Sequence, residues 1–306
     1  MKILKPALAT AMLAGVLTAP LAMAGPTVGF DPTGTGNYST YSDLWTNVTN
    51  TGLATNFVPG RLVGNGGPDA PYLTELRSQM VIGNMTNSNI PAIVTPPGLN
   101  VNFEISKVVR FQELVDSQTA STAHFTLPPA QAAAMDVDPI RAGVQNIAIY
   151  FDDISDGSVA VPGNGPGTVR CYGGGSTSAG CGGPGGDGDG IMILSGHIIF
   201  NDASFTAAGP IGTGSFDSRF MIDYVDPDYL DIVTGSIFQD KLTGTTNVPS
   251  FFTPQEMWDG ATPTTVPFLK VDSSQSFASI PEPATLALMG LGFAGLALGR
   301  RRKVQS

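Results

Sequence analysis

A chain of 306 residues with 38 Gly, 24 Pro and only 13% charged residues favours many strands joined by turns over long helices, whose outer faces need charged straight-chain side chains. A hydrophobic content of 42% excludes a wholly unfolded polymer. The formal charge of −10 argues against a nucleic-acid binder, which needs clustered Lys and Arg to meet phosphates.

In chain order, Lys2 and Lys5 precede an apolar run from Ala7 to Ala22, and Ala22-Met23-Ala24 supplies a small-x-small cleavage site. Residues 1–24 therefore read as a secretory signal, with signal peptidase leaving a mature chain that starts at Gly25. Residues 25–70 are rich in Gly, Thr, Asn and Ser and predict loops with one or two short strands ending near Val63. Leu73, Leu76 and Met80 recur at near-helical spacing, which predicts a short helix or turn over Asp69 to Met80. Val101, Phe103 and Ile105 then alternate with polar residues as in a half-buried strand. Val109, Phe111 and Glu113 suggest a second strand, and Ala123, Phe125 and Leu127 a third. Pro128 to Met135 predicts one or two helical turns, and Val144 to Phe151 a stronger strand.

Residues 155–190 form a Gly-rich excursion too long for an ordinary connection. It holds the only cysteines, Cys171 and Cys181, and in an exported chain their simplest fate is a disulfide that ties off the loop. Strands resume at Ile191 to Phe200, Ser215 to Val225 and Leu230 to Phe238. Pro249 to Pro267 reads as loop, Phe268 to Val271 as a last short strand, and residues 273–280 as a Ser-rich linker. The expected fold is all-β: an antiparallel β-sandwich over residues 25–272, with the Cys loop projecting from one end.

The C-terminus has three parts. Pro281-Glu282-Pro283 is followed by an uncharged run from Ala284 to Gly299, and then by Arg300, Arg301, Arg302 and Lys303. As a helix this run would reach about 24 Å at ~1.5 Å per residue, a little short of a comfortable span, and the basic cluster behind it should stay cytoplasmic. Residues 281–303 resemble the PEP-CTERM sorting signal of Gram-negative bacteria. The resemblance implies a transient inner-membrane anchor, recognition by an exosortase, removal of the tail, and delivery to the cell surface or extracellular matrix. Six of the 15 basic residues lie in the two terminal segments and all 25 acidic ones lie in residues 25–283, so the mature segment carries 9 positive against 25 negative side chains, net −16.

Few residues suggest chemistry. Ser195 and His197 share one face of a strand, yet no nucleophile elbow or oxyanion motif accompanies them, and a core or edge histidine is the expectation. His124 stands alone, which leaves the usual zinc ligand sets unmet. Asp152, Asp153 and Asp156 follow one strand while Asp187 and Asp189 precede the next, so pairing of those strands would gather oxygens suited to Ca²⁺. Solvated acidic turns are the alternative. Ile193 to Ile198 and Tyr229 to Ser236, taken with the terminal signal, are similar to flocculation-associated PEP-CTERM proteins, a resemblance that implies a matrix component without catalytic residues. The expected function is structural or adhesive, in flocs or biofilm with exopolysaccharide, with Trp45, Tyr38 or Tyr41 as candidate sugar-stacking rings. A secreted hydrolase of polysaccharides or esters is the alternative.

Overall fold

Period-two alternation of apolar and polar residues turns each long segment into a strand. A computed structural model of the chain describes residues 27–64, 66–90, 92–129, 135–138, 142–153, 190–208, 211–245, 258 and 268–277. The strands run β1 (Val28–Phe30), β2 (Thr40–Ser42), β3 (Leu44–Thr55), β4 (Tyr72–Asn87), β5 (Ala92–Ile93), β6 (Phe103–Gln118) and β7 (Thr122–Thr126). They continue as β8 (Ile147–Asp153), β9 (Ile191–Ala208), β10 (Ile211–Val225), β11 (Leu230–Asp231), β12 (Ile237–Thr245) and β13 (Phe268–Ser276). Every pairing between these strands is antiparallel.

The pairings close a ring. β4 pairs with β3, β3 with β13, β13 with β12, β12 with β10, and β10 with β9. From β9 the ladder passes to β8 over Ile191 to Gly196 and to β7 over Asp202 to Thr206, and both short strands pair onward to β6. β6 returns to β4. The expected antiparallel packing thus takes the form of one sheet closed on itself, a barrel, which removes free edges. At about eight strands around, side chains just fill such an interior. Leu76 and Met80 of β4, Ile105, Val109 and Phe111 of β6, Phe220 of β10 and Phe238 of β12 are among those that fill it.

Both mouths are plugged by aromatic rings. At one, β1 carries Phe30 against Trp45, Phe103 and Phe151, at centroid distances of 6.2, 5.9 and 6.4 Å. At the other, Phe57 meets Phe125 at 5.7 Å and Phe205 at 5.9 Å. Outside the barrel, Leu53, Val81, Val108, Ala148 and Tyr150 form a second apolar cluster beneath Val137, Val144 and Trp258. Trp258 is fixed there by its indole N–H, which donates to the Val137 carbonyl at 2.7 Å, and by its backbone N–H, which donates to Gln79 Oε1 at 2.7 Å.

Three expectations are corrected. Asp69 to Met80 is no helix: β4 buries Thr74, Leu76, Ser78, Met80 and Ile82 at every second position, and the two hydroxyl residues had masked the period. The expected strand from Leu230 to Phe238 breaks after Asp231, because Gly235 at φ +83° turns the chain before β12 begins. Ser273 to Ser276 is not linker but the end of β13, paired to β12 and β3. No helix among the described residues is long and apolar enough to cross a membrane. The segments 1–24, 130–134, 154–189 and 281–303, and with them the signal peptide, the turns after Pro129, Cys171, Cys181 and the sorting signal, lie outside the described residues.

Candidate functional site

The side of the barrel formed by β10, β12, β13 and the second half of β9 carries hydroxyl groups on its outer surface. In β10, Phe216 and Ser218 point inward while Thr213 and Ser215 point out, and β9 and β12 follow the same rule. Cross-strand register then aligns the outward residues in rows. One runs Thr206, Thr213, Thr245, Lys270, and the next Ser204, Ser215, Thr243, Asp272. These eight residues, with Gly214 and Gly244, line a shallow groove of about 430 Å³. Ser204 and Ser215 share a hydrogen bond at 3.1 Å across the floor. Threonine suits such rows, since its branched carbon packs on the pleat while its hydroxyl faces water.

On the neighbouring β7, His124 stands opposite Ser204 and Thr122 opposite Thr206. His124 is held from both sides, Nδ1 to Asp116 at 2.7 Å and Nε2 to Asp202 at 3.0 Å. The Asp116 hydrogen bond chiefly, with that of Asp202, raises the His124 pKa above the ordinary imidazole range, against the opposing effect of partial burial. A hydroxyl-rich floor with one cation, one carboxylate and a charged rim is fitted to exchange hydrogen bonds with a polar, hydrated ligand. It offers no apolar box for a drug-like one.

The barrel interior holds two further polar sets that sequence reading missed. Lys107 Nζ donates to Asp240 Oδ2 at 2.7 Å and to Ser273 Oγ at 3.0 Å, and Ser273 donates to Asp240 Oδ1 at 2.8 Å. Asn201 donates to Glu113 Oε1 at 2.8 Å and accepts from Ser218 at 2.8 Å. Burial lowers the Lys107 pKa, and burial lifts Glu113 to about 7 despite the Asn201 bond. The signal was available in Ile105, Lys107, Val109, Phe111, Glu113 and Val115, one continuous inward row once β6 is read as a single strand.

The residues expected to carry chemistry are dispersed. His197 Nδ1 meets Asp223 at 2.8 Å, and Ser195 is buried without a bond to it. Trp45 is wholly buried, its indole N–H donating to Ser42 Oγ at 2.7 Å, so it is no sugar platform. Tyr38 donates its hydroxyl to the Pro227 carbonyl, and Tyr41 is exposed. β8 and β9 do pair, Phe151 opposite Ile191, which sets Asp152 and Asp153 beside the point where the chain re-enters at Gly190. Asp156, Asp187 and Asp189 lie outside the described residues, and among the described residues no group of three His, Cys, Asp or Glu could hold a metal ion.

Comparison with known families matches residues 279–303 to the PEP-CTERM protein-sorting motif. The chain carries an exosortase sorting signal. The PEP-CTERM motif marks the protein for export toward the cell envelope or surface and for processing by exosortase. Comparison with curated proteins and with solved structures finds no match. The barrel leads toward the motif through β13, and just past that strand Phe277 packs on Trp45 at 5.0 Å and on Phe238 at 5.5 Å.

Proposed function

We propose that this exosortase substrate is a non-catalytic glycan binder of the extracellular matrix, which helps hold cells together in flocs or biofilm. The observation that carries this reading is the groove: two aligned rows of Ser and Thr on an exported barrel, with Lys270 and Asp272 at one end. Sugar hydroxyls both donate and accept, as do those of Ser and Thr, so a glycan chain laid across the strands finds a complementary partner at each row. Such contacts are wet and weak singly. Many copies displayed at one surface gain avidity without new contacts. The net charge of −16 on the mature segment makes cohesion dependent on divalent cations or salt, which screen repulsion between copies and from anionic glycans.

Deletion and complementation test the role. A deletion strain should grow dispersed. The intact gene should restore clumping, whereas a version lacking Pro281 to Ser306, or one carrying Ser215→Trp to fill the groove, should not. Parental clumping in the deletion strain would overturn the matrix role, and full rescue by Ser215→Trp would overturn the groove.

A further inference from the structure

Lys107 and Asp240 form an ion pair inside the barrel core. Both side chains are 0% exposed, and they come from β6 and β12, which face each other across the barrel with other strands between them on either side. Around Lys107, Ile105 and Val109 flank it along β6, and Met80 and Ile149 are its register partners. Around Asp240 stand Phe238 and Leu242 along β12, with Ser218 and Gln275 opposite. Two charges sealed in such a place carry a desolvation cost that their attraction need not offset.

We propose that Lys107 and Asp240 condense into an intramolecular amide, a covalent bolt across the barrel. A proton passes from Nζ to Oδ2 along their 2.7 Å hydrogen bond, leaving a neutral amine and a neutral carboxylic acid. Burial, which disfavours the ammonium, favours that transfer. The Nζ lone pair then attacks Cγ, forming the N–C bond. A hydrogen bond to Oδ2 already brings Nζ close to the ~3–3.5 Å separation at which reacting atoms are aligned for attack.

Ser273 has the geometry of a proton relay. Its Oγ accepts from Nζ at 3.0 Å and donates to Oδ1 at 2.8 Å, so it takes the amine proton as its own passes to the developing oxyanion. The resulting neutral intermediate carries two hydroxyls on Cγ. One leaves as water, taking the proton of the other, and the carbonyl re-forms. One amine and one acid thus give one amide and one water, and no oxidant or energy source is needed. In bulk solvent, mass action opposes this condensation. In a dry, fixed interior, proximity replaces the bimolecular step and solvent does not reverse it. Gln275, whose amide nitrogen and oxygen are both buried without a partner, neighbours Asp240 in the same inward row and can receive the released water.

The test is intact mass under denaturing conditions, on the mature secreted protein after reduction and alkylation of its cysteines. The bonded chain should be lighter by one water than its sequence with both cysteines alkylated, and digestion should yield a branched peptide joining Lys107 to Asp240. A chain of full sequence mass, or a branch joining other residues, would overturn the proposal. Asp240→Asn should reach the same product mass by losing ammonia, and Asp240→Ala should keep its full mass. Ser273→Ala should slow conversion at least tenfold in a time course after synthesis, and an unchanged rate would remove Ser273 from the relay.

Discussion

The two outer flanks of the barrel are built by the same alternation and end in opposite states. On β3, β4, β6 and β8 the outward positions include Leu53, Val81, Val108, Ala148 and Tyr150, which pack with Val137, Val144 and Trp258. On β9, β10, β12 and β13 the outward residues around the groove are Ser, Thr, Lys and Asp, and they stay open. A strand's outer row is free to vary because the inner row already secures the fold. One flank uses that freedom to hold a distant segment of its own chain, and the other leaves its polar row open. A covered apolar row and an open polar row thus lie on one sheet.

Substitutions can sharpen that contrast. The largest effect is expected at Trp258→Ala, which strips the covered flank of its anchor and should cost about 3–5 kcal/mol in urea unfolding. If that flank tolerated the change, its cover would be no part of the folded unit.

Next comes Glu113, in the interior that both flanks share. Its folded pKa of about 7 lies above the reference 4.5, so the native state keeps a proton that the unfolded chain releases as pH rises. Stability from this group is therefore complete below about pH 4.5 and is lost as pH climbs through about 7, by on the order of 3 kcal/mol. Glu113→Gln should abolish that slope, which unfolding midpoints measured across the range would reveal.

His124, on the rim of the open flank, should contribute less. Its raised pKa gives stability that is full below about pH 6.5 and fades as pH rises through the higher folded value. With 42% of the side chain exposed, screening holds the effect below about 1 kcal/mol, and His124→Ala should erase it. The smallest shift belongs to the groove itself: Thr213→Val and Thr245→Val together should move stability within about 0.5 kcal/mol while reducing retention on the matrix polysaccharide. A large loss of stability there would mean that the open flank is structural after all.

Much of the fold was legible in the sequence because strand periodicity survives wherever inward residues are apolar, as in Ile147 to Phe151 and Ile191 to Phe200, although the strand expected from Val144 begins only at Ile147. It was lost where polar residues face in. Thr74 and Ser78 broke the pattern of β4, and Ser273 and Gln275 disguised the end of β13 as linker. The same disguise hid the interior polar sets, since Lys107, Asp240 and Ser273 are far apart in sequence and meet only when the ring closes. The groove was illegible for another reason. Ser and Thr at alternate positions read as ordinary strand surface until register aligns them across β9, β10 and β12. The sorting signal was readable outright, because its three parts are contiguous.

Leaving the barrel through β13 has a mechanical consequence. That strand is flanked by β12 on one side and β3 on the other, both antiparallel to it. Tension entering beyond Phe277 acts along the strand axis, while the ladder hydrogen bonds lie across it. The load is therefore shared in shear by both ladders at once instead of opening one bond after another as a zipper would. A body held from that end resists hydrodynamic drag with its strongest direction aligned to the pull, whatever its thermal stability.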